Sequence, residues 1–265
     1  MSKAIYTGIS NKARKVPKLY VGVDGKARKV KKGYVGVNGV ARLFYSPVTR
    51  PPILPEPYIE LEYIYTPTMK DNNTTNDTYI LNTPYIDTLY YPKYDTTISL
   101  QAQIENYSGG NRILHSAIFY ARDATPGNQK LILDIKSDKL TNEFYFQSGT
   151  STTKLLIAKD IFTPFEITVK GTGYVNINGS EYNVTRIDGS INGRLTLGPY
   201  DGTNIKQYYH TVKYFRCKIY TGDRLMMDLV PCKNSAGLVG MYDLVTNAFF
   251  SSRSNVAFLP GPTVY

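Results

Sequence analysis

Residues 12–25, KARKVPKLYVGVDG, recur almost unchanged as residues 26–39, KARKVKKGYVGVNG. A direct repeat of this length is too short to bury a core of its own. Each unit must therefore be one small supersecondary element that leans on a neighbour or a partner. The pattern extends both ways: Ile5-Tyr-Thr-Gly-Ile-Ser-Asn11 precedes it in register, and Val40-Ala-Arg-Leu-Phe-Tyr45 begins a further unit. In each unit a Tyr-x-Gly-Val/Ile run meets a turn pair, Ser10-Asn11, Asp24-Gly25 or Asn38-Gly39. Asp-Gly and Asn-Gly suit the two-residue type I′ turn, whose central residues both need positive φ. The Ala-Arg-Lys-Val that follows alternates small or apolar with charged residues, the period of a strand with one wet face. Residues 1–46 are expected to form two or three β-hairpins in series.

Charge is concentrated in the same place. Of 31 Lys and Arg and 21 Asp and Glu in the chain, residues 1–50 hold eight Lys, four Arg and one acid, Asp24. That segment carries +11 and residues 51–265 carry −1, which together make the net charge of +10. The apolar residues Tyr20, Val21, Val23, Val30, Tyr34, Val35 and Val37 are too few to close a core. Three uses compete for such an arm. It could dock on a larger assembly or on copies of itself, through Tyr20, Val21, Val23, Arg28, Tyr34, Val35, Val37, Arg42 and Phe44. It could bind a polyanion through Lys and Arg on one strand face. Its lysines could simply keep an open edge soluble. The regular period favours docking. Nucleic acid is the weaker partner, because no reading helix is visible and nucleic-acid modules usually add one or stacking aromatics.

Residues 47–57, PVTRPPILPEP, hold five prolines. Proline fixes φ and lacks an amide donor, so the stretch reads as an extended spacer. From Tyr58 to Tyr265 the chain is rich in Tyr, Thr and Asn and reads as short strands. Those expected are Tyr58–Tyr65, Thr97–Ile104, Leu131–Ile135, Phe144–Phe146, Leu155–Ile157, Phe165–Val169, Arg194–Leu197, Val212–Tyr220 and Leu225–Val230. The clearest hairpin is Tyr174–Val184, with Asn178-Gly179 at its tip. No segment has the 3.6-residue period of an amphipathic helix, so the body is expected to be a β-sandwich.

Particular residues carry a family resemblance. Tyr85-Ile-Asp-Thr88 followed by Tyr91-Pro92 resembles the opening of concanavalin-like (LamG-type) jelly-roll domains of phage tail proteins. Cys217-Lys-Ile-Tyr-Thr-Gly-Asp-Arg-Leu225, Asp228-Leu-Val-Pro-Cys232 and Gly240-Met-Tyr-Asp-Leu-Val-Thr-Asn-Ala-Phe249 look like the closing strands of that family. The segment KARKVKKGYVGVNGVARLFY is similar to one common in virion proteins of phages that infect Firmicutes. The resemblance implies an all-β chain: a hairpin-repeat arm (1–46), a linker (47–57) and a concanavalin-like jelly-roll sandwich (58–265). It also implies a virion protein made in the bacterial cytoplasm, docked on other virion proteins and homo-oligomeric, in such fibres commonly a trimer. Its expected role is that of a tail or baseplate fibre, or a receptor-binding protein, that contacts host polysaccharide. The alternative is a purely structural head-fibre or decoration protein that binds no glycan.

Chemistry is sparse. The same sandwich carries β-glucanases, which need paired carboxylates on one strand face. Glu60 and Glu62 share a face by alternation but lack a third acid, and read as solvated. There is no Gly-x-Ser-x-Gly elbow, phosphate loop or zincin motif. His115 and His210 are isolated. Cys217 and Cys232 match no zinc spacing and are expected as reduced, core-filling thiols on neighbouring strands. No catalytic residue, metal or cofactor is therefore expected. Asp71–Asp77 is rich in oxygen ligands, which leaves calcium open, but it lacks the glycine of an EF-hand loop and reads better as a polar loop. The start shows no secretory signal, and no apolar run is long enough to span a bilayer. Tyrosines that could stack on sugar rings are Tyr90, Tyr91 and Tyr94, and Tyr208, Tyr209 and His210 beside the turn Tyr200-Asp201. The chain has no Trp, the strongest sugar-stacking residue.

Overall fold

The computed structural model describes residues 5–9, 12–16, 20–23, 26–29, 33–37, 40–45, 53–67, 84–104, 114–123, 130–137, 142–156, 163–198 and 211–264. The chain divides after Pro52, and the second compact unit is Ile53–Val264.

In the first unit the repeat becomes three antiparallel hairpins. They are β1 (Ile5–Ile9) with β2 (Lys12–Val16), β3 (Tyr20–Val23) with β4 (Lys26–Lys29), and β5 (Gly33–Val37) with β6 (Val40–Tyr45). Ile9 lies opposite Lys12, Val23 opposite Lys26 and Val37 opposite Val40, which leaves two residues for each loop. That is the loop length Asp-Gly and Asn-Gly favour. The turn residues Asp24, Gly25, Asn38 and Gly39 themselves lie outside the described residues. Gly8, Gly22 and Gly36 face Ala13, Ala27 and Ala41 at the same rung of each hairpin. The expected docking residues fall on β3 to β6. Among them Phe44 is the extra residue where the register shifts, since Gly33 faces Tyr45 and Tyr34 faces Leu43. Among the described strands, each hairpin forms a ladder only with itself.

The second unit enters through β7 (Ile59–Glu60), β8 (Ile64–Tyr65) and β9 (Ile86–Asp87). It continues with β10 (Thr96–Ile104), β11 (Leu114–Arg122), β12 (Lys130–Ser137), β13 (Asn142–Gly149) and β14 (Ser151–Leu156). Next come β15 (Phe165–Lys170), β16 (Tyr174–Ile177), β17 (Ser180–Asn183), β18 (Thr196–Leu197) and β19 (Val212–Thr221). It closes with β20 (Arg224–Lys233), β21 (Val239–Asp243), β22 (Ala248–Ser251) and β23 (Leu259–Pro260). The larger sheet runs β17-β16-β15-β10-β19-β20-β21-β22, with β7 on β20, β8 on β19 and β23 on β8. The smaller runs β14-β13-β12-β11-β18-β9. Consecutive strands β10 and β11 lie in different sheets, and each pairs with a distant strand, β19 and β18 respectively. This interleaving makes the all-β body a jelly-roll-like sandwich.

Alternation drives the packing. Along β10 every second residue is buried, from Thr96 through Ile98, Leu100 and Ala102 to Ile104. They meet Ile167 and Val169 of β15 and, from the smaller sheet, Phe119, Leu131, Leu133 and Phe146 in one core. Each such aliphatic side chain withdrawn from water contributes about 1.5–3 kcal/mol. In β19 the alternation breaks and is restored by a bulge. Gln101 faces Arg216 and Ala102 faces Tyr214, so Phe215 is the extra residue. The bulge lets Tyr214 and Cys217, three apart, both enter the core.

Three expectations change. Tyr58–Tyr65 is two short strands rather than one, because the segment changes partner midway: Leu61 N donates to Pro231 O and Glu62 N to Pro262 O. Glu60 is accordingly not solvated but 2% exposed. Arg194–Leu197 contributes only Thr196–Leu197 as a strand. The Pro-rich stretch 47–57 divides. Residues 47–52 lie outside the described residues, whereas Leu54 is buried with Val230, Cys232 and Tyr242 on the outer face of the larger sheet. There the Tyr58 ring sits 4.6 Å from that of Tyr242.

Candidate functional site

The tyrosine-bearing segment after β9 is organised by its own polar residues. Asp87 is buried, takes the amide of Leu89 at 3.0 Å and pairs with Arg194 at 3.1 Å. This local acceptor holds Leu89 in the left-handed region, at φ 60°. Thr88 donates its hydroxyl to Leu195 O at 2.6 Å, and its Oγ1 accepts Tyr90 N. The Tyr-Ile-Asp-Thr motif is thus a turn organiser.

From there the segment runs antiparallel to residues 189–197. Leu195 N donates to Tyr90 O, Ile191 N to Pro92 O, and Tyr94 N to Gly189 O at 2.8 Å, with a bridge between Lys93 and Ser190. This irregular ribbon decides the fate of the three described tyrosine candidates. Tyr90 packs against the core, and its hydroxyl is engaged by Thr96 at 2.8 Å and Thr221 at 2.7 Å. Tyr91 and Tyr94 are exposed, Tyr94 at 58%. Tyr200, Asp201, Tyr208, Tyr209 and His210 lie outside the described residues, as does the Asp71–Asp77 loop.

Tyr94 forms one wall of a cleft of about 440 Å³ that it shares with Thr172, Arg186, Ile187, Asp188 and Gly189. Three stretches of backbone meet beneath it. Gly171 N donates to Thr96 O, and Ile187 N donates to Gly171 O, both at 2.8 Å. Gly171 allows that approach, because a Cβ there would stand 2.5 Å from Lys93 O and 2.7 Å from Tyr94 O. Arg186 and Asp188 form an open ion pair at 3.6 Å, with side chains 75% and 77% exposed. Next to Tyr94, Asp95 holds Oδ1 buried with no hydrogen-bond partner among the described residues. Thr172, Arg186 and Asp188 carry no sequence signal as site residues. They lie about 80 to 95 positions from Tyr94, and only strand order brings them to it.

The remaining chemistry-bearing residues have structural roles. Cys217 and Cys232 are free and buried on neighbouring strands, one in the main core and one in the outer cluster. Cys217 faces Leu229, and Leu229 and Cys232 sit on opposite faces of β20, so the two thiols are separated by the sheet. Burial pushes the Cys217 thiol well above its ordinary range and the Cys232 thiol up to about 12. Such groups are not poised nucleophiles. Arg216 grips Asp228 with both Nε (2.7 Å) and Nη2 (2.6 Å), and this hydrogen bonding raises the guanidinium pKa further. Asp228 N donates in turn to the fully buried Asp243. Asp243 also accepts the amides of Val245 and Thr246 and the Thr246 hydroxyl, closing the turn in Tyr242-Asp-Leu-Val-Thr-Asn247. The side chain of His115 is outside the described residues, and its position on β11 faces Lys136. Among the described residues no group of three His, Cys, Asp or Glu could hold a metal, and no helix is long and apolar enough to cross a membrane.

No protein-family model and no curated protein matches the sequence. Among solved structures, the chain is similar to an alginate lyase from Pseudomonas aeruginosa at 12% identity and TM-score 0.34, over 50% of this chain and 68% of the lyase. It is similar also to a sialidase from Trypanosoma rangeli in complex with sialic acid. There the identity is 12% and the TM-score 0.39, over 78% of this chain and 42% of the sialidase.

Proposed function

We propose that the chain is a non-enzymatic component of a phage virion. The hairpin arm docks it on the particle, and the sandwich is displayed to contact glycans on the host surface. The observation that carries this reading is the division of labour between the two units. Residues 1–50 carry +11 and hold three hairpins of one register that, among the described strands, ladder only with themselves, while Ile53–Val264 owns a continuous core and is nearly neutral. An isolated two-stranded hairpin is marginal in water, so three in series call for a partner surface. The exposed rings of Tyr91 and Tyr94 on the ribbon support the contact role, since tyrosine offers a rigid apolar face and a hydroxyl at low entropic cost. The family resemblance of the arm and of both ends of the sandwich supports the virion setting.

Deleting residues 1–52 tests the arm. A folded sandwich should remain, and it should no longer enter particles. Assembly of the truncated protein would remove the arm as anchor. Absence of any glycan binding by the full chain, with assembly intact, would favour a structural fibre or decoration protein instead.

A further inference from the structure

The Tyr94 cleft has the make-up of a small saccharide site, and its charge balance specifies the kind of sugar. Its volume of about 440 Å³ lies in the lower part of the range for small-molecule sites, about 300–1,000 Å³. One wall is an aromatic ring exposed on an otherwise hydrogen-bonded ribbon, a surface on which the C–H face of a pyranose can lie. The same cleft is lined by a donor and an acceptor of opposite charge, Arg186 and Asp188, with the Thr172 hydroxyl able to give or take a hydrogen bond. The ion pair is open at 3.6 Å and largely solvated, so it contributes little to folding stability. The cleft keeps it in the place where a ligand would find it.

The backbone beneath is fixed. Tyr94 N to Gly189 O, Gly171 N to Thr96 O and Ile187 N to Gly171 O tie the three lining segments together. Gly189 adopts φ +75°, which lets the chain turn between Asp188 and the Lys93–Ser190 bridge. Ring, guanidinium and carboxylate are thus carried on preorganised backbone, and ligand binding spends less on ordering it.

We infer that this cleft is a subsite for an uncharged pyranose, with the sugar ring stacked on Tyr94, Asp188 accepting from one hydroxyl and Arg186 donating to its neighbour. Carboxylate and guanidinium cancel, so the cleft attracts neither sign of ligand. A uronate or a phosphate-bearing unit would have to displace Asp188 from Arg186 to be held. This inference rests on the reading that the sandwich contacts glycans, and it names the place and the ligand class.

The test titrates the full-length protein with glucose, galactose, rhamnose and N-acetylglucosamine, and separately with glucuronate and glycerol phosphate, followed by saturation-transfer NMR. At least one neutral sugar should bind. Tyr94→Ala should weaken it about tenfold, and Tyr94→Phe, which keeps the ring, should stay within about twofold. Asp188→Asn should weaken neutral sugars and strengthen the two anions, because Arg186 is then uncompensated. Leu238→Ala, on an exposed side chain outside the cleft lining, should leave affinity unchanged. Neutral-sugar binding that survives Tyr94→Ala overturns the site while leaving the glycan reading intact. A preference of the wild type for glucuronate or glycerol phosphate overturns the ligand class. Failure of every neutral sugar to bind the wild type overturns the site; if glucuronate or glycerol phosphate still binds, the glycan reading stands, and failure of all six compounds overturns both. All four substitutions fall on exposed side chains, and an unchanged melting temperature separates lost binding from lost folding.

Discussion

The hydroxyl of Tyr214, on the larger sheet, donates to the carbonyl of Ile118, on the smaller sheet, at 3.0 Å. Ile118 is the extra residue where β11 slips against β12, since Ala117 faces Asp134 and Phe119 faces Leu133. A bulge leaves its extra residue outside the ladder. The freed carbonyl takes two donors, the Tyr214 hydroxyl and Gly198 N. Tyr214 is fully buried and packs edge-on against Phe258, so the bond forms where water cannot replace it. Tyr214→Phe keeps the ring and leaves Gly198 as the remaining donor. It should cost about 1 kcal/mol, read as a fall in melting temperature of about 2–4 °C. Tyr214→Ala should cost about 3–5 kcal/mol, as large-to-small changes of buried aromatic residues do.

Asp243 is a second acceptor shared by several donors, here a buried side chain that takes the buried amide of Asp228 and those of the adjoining turn. Its loss would strip partners from the amides of Asp228, Val245 and Thr246 at once. Denaturant unfolding of Asp243→Ala should show a loss of about 3 kcal/mol, with Thr246→Ala losing roughly a third of that.

The thiols set an alkaline limit. In the unfolded chain each ionises near its ordinary 9.0, whereas burial holds Cys232 protonated up to about 12 and raises Cys217 as well. The folded state therefore binds protons that the unfolded state has released. The contribution is complete below about pH 9 and is lost as pH climbs toward about 12. Thermal unfolding scanned across that window should show stability falling, and less steeply in Cys232→Ala. Below it, both thiols should resist a thiol reagent until denaturant is added. Mild oxidation should yield no intramolecular disulfide, because the sheet lies between them.

At the base of the cleft, Gly171→Ala drives a methyl group against Lys93 O and Tyr94 O, two backbone atoms that cannot swing away. Overpacking of that kind costs about 1–3 kcal/mol. The amide shifts in an NMR spectrum should concentrate in residues 93–96 and 186–189. Gly179→Ala is a useful contrast. It meets no atom within 4 Å but requires φ +87°, so it should cost about 1 kcal/mol without altering the cleft.

Local rules made much of this fold readable. Asn178-Gly179 takes the type I′-compatible turn its sequence dictates, with φ 51° and 87°, and the fourteen-residue period of the repeat reappears as a register. Strand β10 alternates from end to end. What escaped were the places where neighbours far along the chain overrule the local pattern. β11 buries Ala117 and Tyr120 on one face and Ile118, Phe119 and Ala121 on the other, so no alternation announces it. Glu60 is drawn inward because β7 closes against Cys232 and Lys233 of β20. In the cleft, Tyr94 could be suspected as an aromatic residue in a tyrosine cluster. Arg186 and Asp188 look like any solvent-facing pair until the ribbon sets them beside it.

The serial closure of the three hairpins has a consequence for how residues 5–45 can vary. Because each hairpin closes its ladder upon itself among the described strands, adding or losing one fourteen-residue unit would disturb none of the other described ladders. The number of hairpins is therefore quantised. Duplication or deletion in the coding sequence can change it by whole steps without refolding what remains, which makes hairpin number a trait that varies independently of the sandwich.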